Sequence, residues 1–263
     1  MFSEKASVYI STSRMLMTAP HLLNAQHQHA MMQVTFSLED QSFAVWTEDA
    51  GWQETKAVII NSNVVHSLKD FKGWQVTTCI VPEAIRGKLL QEKVLDHAPV
   101  KLLDVQVFAP LMEDLCRLRA EKINGEKFLH LTNQLYDSLT GVQGFQGPLD
   151  ARILHVVKYI QEHIDEPMAA AALAQEVFLS EDRFLHLFKE QMGMPLRQYI
   201  LWQRAAIALK MYLQGKSLKE AAFDAGFADP AHFTRTFVQM NGVPPSAYAG
   251  FKNHYHMDFF LQF

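Results

Sequence analysis

Hydrophobic and polar residues alternate along the first third of the chain, as they do in β-strands. Five short segments rich in β-branched and aromatic residues carry this pattern, separated by turn signals such as Asp-Ala-Gly and Lys-Gly. They are residues 33–39, 42–48, 56–61, 64–68 and 74–82. Short strands at this spacing predict an antiparallel sandwich or barrel.

Beyond Pro82 the apolar residues recur at intervals of three and four, which indicates amphipathic helices. One helix is predicted over residues 82–95. Two adjacent helices, over 104–122 and 124–141, are predicted to form a helical hairpin. After a segment with three glycines and a proline in nine residues, residues 150–250 have helical periodicity throughout.

These changes of pattern predict an α+β chain with two domains. Residues 1–140 form a β-barrel domain with the helical hairpin at its end, and residues 141–149 are the linker. Residues 150–263 form an all-helical domain that ends in an aromatic tail.

The helical part repeats itself after 49 residues, so that residues 168–199 overlay residues 217–248. The matching pairs are Ala172 and Ala221, Phe178 and Phe227, Phe184 and Phe233, Phe188 and Phe237, Gly193 and Gly242, Pro195 and Pro244, and Tyr199 and Tyr248. Each unit predicts two helices joined by a turn, and the second helix begins after an N-cap residue, Ser180 or Asp229.

A pair of helices of this kind places its second helix in the major groove of DNA and its first across the backbone. The two units are joined by a predicted helix over residues 196–213, which would be about 27 Å long. Such a connector would hold the two recognition helices about one DNA turn apart, on the order of 34 Å.

Three motifs of the second unit resemble the DNA-binding region of the AraC/XylS family of transcriptional regulators. They are A-x-x-x-G-F from Ala222, the F-x-R-x-F run around Arg235 and the G-x-x-P-x-x-Y ending at Tyr248. The resemblance covers about residues 150–250. The upstream layout is similar to the family's cupin-like effector or dimerisation domain.

The resemblance assigns base contacts to the outward faces of the two recognition helices. These residues are Asp182, Arg183, His186, Ala231, His232 and Arg235. Arg235 is the best candidate, because a guanidinium can donate two hydrogen bonds to guanine O6 and N7. Five basic residues are candidate phosphate contacts: Lys189, Arg197, Arg204, Lys216 and Lys219.

Charge argues for weak non-specific binding. The formal net charge is −4, and residues 150–250 hold 10 Lys and Arg against 11 Asp and Glu. Composition is that of a folding chain, with 49% hydrophobic residues. Neither a long apolar run nor a secretion signal is visible, and Cys79 and Cys116 match no metal spacing, so we expect a cytoplasmic protein. The family resemblance implies a bacterial one.

The segment His-Gln-His at residues 27–29, with His66 downstream, has two interpretations. Cupin enzymes resemble it, and three imidazoles could hold zinc or iron, but Gln33 stands where a carboxylate ligand is expected. The alternative is hydrogen-bonded histidines at a barrel mouth, and on this basis we expect neither metal nor cofactor.

Two further sets of candidates lie in the N-terminal part. A barrel interior that could hold a small-molecule effector would be lined by His29, Met31, Phe36, Trp46 and His66. Dimerisation through the helical hairpin would use Leu111, Leu115, Leu118, Phe128, Leu131 and Leu135, although packing within the chain explains the same apolar stripe.

The predicted function is sequence-specific DNA binding by a transcription regulator without enzymatic activity. Its partners would be double-stranded DNA, RNA polymerase, a small-molecule effector and a second copy of the chain, with no membrane. Two alternatives stay open: a cupin-type metalloenzyme with a helical appendage, and an interaction protein that does not bind DNA.

Overall fold

The computed structural model describes residues 6–11, 13–20, 25–143, 150–249 and 255–259. Strands fill most of the first hundred residues. They are β1 (Ala6–Ile10), β2 (Arg14–Ala19), β3 (Met32–Ser37), β4 (Phe43–Thr47), β5 (Gly51–Thr55), β6 (Ala57–Ile60), β7 (His66–Lys69), β8 (Gln75–Ile80) and β9 (Val100–Leu102). A last strand, β10 (Tyr255–Phe259), lies near the end of the chain.

The strands form two sheets. The larger has the order β10-β1-β2-β8-β3-β6-β9, and the smaller has the order β5-β4-β7. All pairings are antiparallel except that of β10 with β1. The α+β class is therefore confirmed, but the two sheets do not close into a barrel.

Helices between the sheets and the C-terminal part differ in detail from those predicted. They are α1 (Ile85–Leu89), which continues as a π-helix (Leu90–Leu95), a 3-10 helix (Val105–Leu111), α2 (Met112–Arg117) and α3 (Gly125–Thr140). The predicted helix over 104–122 is interrupted because Pro110 lacks the N–H that an α-helix needs at this point. Its first part winds as a 3-10 helix instead, and Val107 points outward.

The proposed dimerisation residues form the interior of this region. All six are at most 4% exposed and belong to one apolar cluster with Phe36 and Phe108. The structure thus places them in packing within the chain, and their side chains are not available to a partner.

The C-terminal part is built from seven helices within the described residues. They are α4 (Ala151–Glu162), α5 (Ala170–Glu176), α6 (Glu181–Met192), α7 (Leu196–Leu213), α8 (Leu218–Asp224), α9 (Pro230–Asn241) and α10 (Pro245–Ala249). Of the helices in the described ranges, none combines the length and apolar character that crossing a membrane requires. Residues 144–149 of the predicted linker lie outside the described residues.

The helical part is packed on the sheet part. Met31, Cys79 and Val81 belong to the same apolar cluster as the cores of α4 to α9. Burial raises the pKa of the Cys79 thiol to about 12, which keeps it neutral and suits its place in that core. The aromatic tail, predicted as part of the helical domain, returns to the larger sheet through β10.

Candidate DNA-binding surface

The helices α6 and α9 begin and end in the same way. Ser180 and Asp229 are the N-caps, and each side chain accepts a hydrogen bond from a backbone N–H in the first turn. Gly193 and Gly242 close the two helices in the left-handed conformation, with φ of 75° and 76°. The residues that begin and end the two recognition helices therefore lie 49 residues apart in each case.

The buried faces of the two helices have nearly the same ring packing. The rings of Phe184 and Phe188 lie 5.9 Å apart at 63°, and those of Phe233 and Phe237 lie 5.9 Å apart at 67°. Phe188 meets Tyr199 edge-on at 5.3 Å, and Phe237 meets its counterpart tyrosine at 5.4 Å. The repeat in sequence is thus a repeat of packing.

The turns before the two recognition helices differ in length, so part of the predicted 49-residue overlay is wrong. Phe178 occupies the left-handed position (φ 55°) that Gly226 occupies in the second unit (φ 83°), and it is 96% exposed, whereas Phe227 is buried. The N–H of Leu179 donates to the carbonyl oxygen of Ala174, and the N–H of Phe227 donates to the carbonyl oxygen of Ala222 in the same way. The first helix of each unit, α5 or α8, therefore aligns with the other at an offset of 48 residues, whereas α6 and α9 align at 49. The turn between the two helices is one residue longer in the second unit. Neither Phe178 with Phe227 nor Ala172 with Ala221 is an equivalent pair.

On α6 the three predicted base-contacting side chains are exposed, and they lie on the face opposite Phe184 and Phe188. His186 donates from Nδ1 to the carbonyl of Asp182 at 2.9 Å, with the carboxylate of Asp182 3.4 Å away. Because Nδ1 is occupied, Nε2 is the ring nitrogen of His186 left for a ligand. The first turn of α6 beside it carries the acidic residues Glu181 and Asp182.

On α9 the predicted residues differ in exposure. Ala231 and Arg235 are exposed, and Arg235 makes no hydrogen bond or ion pair within the described part of the chain. His232 is only half-exposed because its ring packs edge-on against Phe227 at 5.3 Å. Arg235 is therefore the cation that this helix presents to a ligand.

Comparisons with known proteins place the helical part. A helix-turn-helix domain model matches residues 173–250. The probable transcriptional regulator LumQ of Photobacterium leiognathi is 32% identical over 94 residues, which cover 35% of this chain and 38% of LumQ. The arabinose operon regulatory protein of Salmonella typhimurium is 33% identical over 104 residues, which cover 38% of this chain and 37% of that protein.

Residues 173–250 thus resemble the DNA-binding domain of AraC-type regulators. The chain spans less than two fifths of the length of these curated relatives. Over 92% of the chain the fold resembles apo ToxT of Vibrio cholerae, with a TM-score of 0.50, 12% identity and 98% of ToxT covered. This likeness is one of fold alone.

The candidate phosphate contacts of this AraC-type domain fall into two groups. Lys189, Arg197 and Lys219 are exposed, and so is Lys216, which pairs with Asp224. Arg204 does not fit the prediction. Its guanidinium donates to the carbonyls of Ile164, Gly226 and Glu166 at 2.7–2.9 Å. Arg204 therefore fastens the end of α4 to the second helix-turn-helix unit and is not free for a phosphate.

Replacing Arg204 by methionine is expected to lower the free energy of unfolding by about 2–3 kcal/mol, because three carbonyls lose a charged donor. The slope of log DNA affinity against log salt should stay unchanged, since no phosphate contact is lost. Urea unfolding and salt-titrated binding measure the two quantities. Arg197→Met, an exposed control on the same helix, should change stability by no more than about 0.5 kcal/mol. Unchanged stability of Arg204→Met with a shallower salt slope would restore Arg204 as a phosphate contact.

The five predicted effector-site residues lie in different parts of the N-terminal region. Phe36 stacks on Phe108 at 3.9 Å in the sheet part, and Trp46 lies in the smaller sheet. Of the five, Met31 alone lines the small cavity between the larger sheet and α7 and α9. His29 and His66 are buried beside each other, with ring centroids 5.2 Å apart. Control by a small molecule stays a prediction.

His27, which the sequence offers only under the metal interpretation and not among the effector-site residues, lies beside the other two histidines. The structure places its ring 4.4 Å from that of His66 and 5.6 Å from that of His29. The His-x-His spacing agrees with this placement, because it sets two imidazoles on the same side of an extended segment.

Proposed function

We propose that this protein is a sequence-specific DNA-binding regulator of transcription whose helices α6 and α9 enter successive major grooves. The observation that carries the proposal is the matched construction of the two helices, joined by the 18-residue α7. A helix of that length is about 27 Å long, which suits recognition elements about one DNA turn apart. The exposed faces carry Arg183, His186 and Arg235, which are side chains that donate to base edges or phosphates.

The named relatives regulate transcription, and we infer no enzymatic activity for this chain. A regulator of bacterial genes acts in the cytoplasm, and RNA polymerase and a second copy of the chain are further partners under this proposal. A dimer would use surfaces other than the six leucine and phenylalanine side chains that are buried in the core.

The test is the loss of one guanidinium. Arg235→Ala is expected to weaken binding to the preferred site by about 1–3 kcal/mol, or about 5–150-fold, and to relax selectivity at one base pair. A selected duplex and its single-base variants measure both effects. Lys158→Ala, which removes an exposed charge from α4, is the matched control and should leave selectivity unchanged. If Arg235→Ala leaves affinity and selectivity unchanged, the assignment of α9 as a recognition helix is wrong.

A further inference from the structure

Three imidazoles converge beside the end of the second recognition helix. His27 and His29 lie on the segment before β3, and His66 opens β7. Backbone hydrogen bonds in both directions between His27 and His66, of 3.0 and 2.9 Å, hold the two segments together. One nitrogen from each of the three rings lies within 4.8 Å of the others.

The same nitrogen of each ring is already used by the backbone. Nδ1 of His27, His29 and His66 lies 2.8 Å from the carbonyl oxygen of Ala25, Met31 and Val64 respectively. A carbonyl only accepts, so each Nδ1 carries the hydrogen and each Nε2 carries a lone pair. Carbonyls that hold Nδ1–H in this way orient the histidines that ligate metals through Nε2.

The Nε2 atom of His66 lacks a partner within the described residues. His66 is fully buried and its Nε2 makes no hydrogen bond there, a loss that costs about 1–3 kcal/mol. The side-chain amide of Gln33 lies 2.9 Å from Nε2 of His29 and also bonds to Thr35, so Gln33 stands beside the same site.

The centroid of the His66 ring lies 4.4 Å from that of His27 and 5.2 Å from that of His29, so the three rings share one site. A cation that accepts electron pairs from nitrogen would satisfy their Nε2 atoms together.

We propose that His27, His29 and His66 bind a divalent transition-metal ion of the zinc class through their Nε2 atoms, with Oε1 of Gln33 beside it. Three neutral imidazoles favour zinc and its neighbours in the first transition row over magnesium and calcium, which prefer oxygen ligands. The replacement of a carboxylate by Gln33, which argued against a metal in the sequence, leaves the donor set neutral but complete enough for three-nitrogen coordination.

The site touches the end of α9. A methyl group built at Gly242, the residue that closes this helix, would lie 2.4 Å from Cδ2 of His27. The N–H of Ala30 donates to the carbonyl of Gln239, in the last turn of α9, at 2.9 Å. A metal that fixes the His27 ring would therefore fix the segment on which α9 rests. This coupling rests on the proposed DNA-binding function, whereas the metal site does not.

The metal site is tested by titrating zinc into untagged protein that has been stripped with a chelator. One equivalent is expected to bind, with a rise in melting temperature. His27→Ala should weaken binding at least about 100-fold, and because this side chain is only half-buried the variant is expected to fold. His66→Gln should do the same, and His155→Ala, an exposed histidine on α4, is the control. Absence of stoichiometric binding, or binding that His27→Ala and His66→Gln both retain, overturns the site.

The coupling is tested by DNA affinity with and without zinc. A change of at least about tenfold in the wild type that is absent in His27→Ala supports it. Equal affinities overturn the coupling but not the site. If no duplex binds under either condition, the proposed function fails, and the zinc titration still decides the metal site.

Discussion

Replacing Phe188 or Phe237 by alanine is expected to lower the free energy of unfolding by about 3–5 kcal/mol in each case, because both rings are buried and each leaves a cavity. The two losses should agree to within about 1 kcal/mol, since each ring has one phenylalanine and one tyrosine partner in nearly the same geometry. Urea unfolding followed by circular dichroism measures both.

The control for this pair is Lys189→Ala, which is exposed and follows Phe188 directly. It should change stability by no more than about 0.5 kcal/mol. A loss below about 1 kcal/mol at one phenylalanine and a full loss at the other would mean that only one unit is firmly packed. The interpretation of two equivalent recognition helices would then fail.

The recognition helices were predictable from sequence because their signals are local. An apolar residue every three or four positions sets the buried face, and the N-cap and the closing glycine set the ends. The connecting helix was equally clear, beginning after Pro195 and ending before Gly215. Each of these signals acts within about four residues of the element that it defines.

The turns and long-range contacts were not predictable in the same way. One extra residue in the second turn shifts the register from 48 to 49, and a match between Phe178 and Phe227 conceals that shift. The role of Arg204 depends on carbonyls up to 40 residues away, for which no pattern around position 204 gives a signal. Sequence alone therefore does not distinguish basic residues that contact phosphates from those that stabilise the fold by donating to backbone carbonyls.

The N-terminal part was less predictable because its site depends on strand register. The effector candidates line one pocket only if their strands share one interior, but Phe36 and Met31 face different cores. Convergence of the three histidines depends on a bridge between segments 39 residues apart, and the return of β10 to β1 crosses almost the whole chain. Contacts between residues so far apart along the chain produce no periodic pattern in the sequence from which they could be predicted.

A buried ion pair between α1 and α3 gives the second large effect. Arg86 donates from Nε and from a terminal nitrogen to the two carboxylate oxygens of Asp137, at 2.9 and 3.2 Å. The side chains are 7% and 17% exposed. Arg14, a second buried guanidinium, has its pKa lowered by burial and further by the charge of Arg86. The carboxylate of Asp137 thus offsets positive charge that the interior would otherwise hold alone.

Asp137→Ala is therefore expected to lower the free energy of unfolding by about 3–5 kcal/mol, because it leaves Arg86 charged and buried without its partner. Asp224→Ala, which breaks the exposed pair with Lys216, should cost no more than about 1 kcal/mol by the same urea measurement. The double variant Arg86→Met with Asp137→Leu should recover most of the loss, since it removes both charges and keeps the volume. If Asp137→Ala costs no more than Asp224→Ala, water must reach Arg86, and the interface between α1 and α3 is not the dry contact that its exposure indicates.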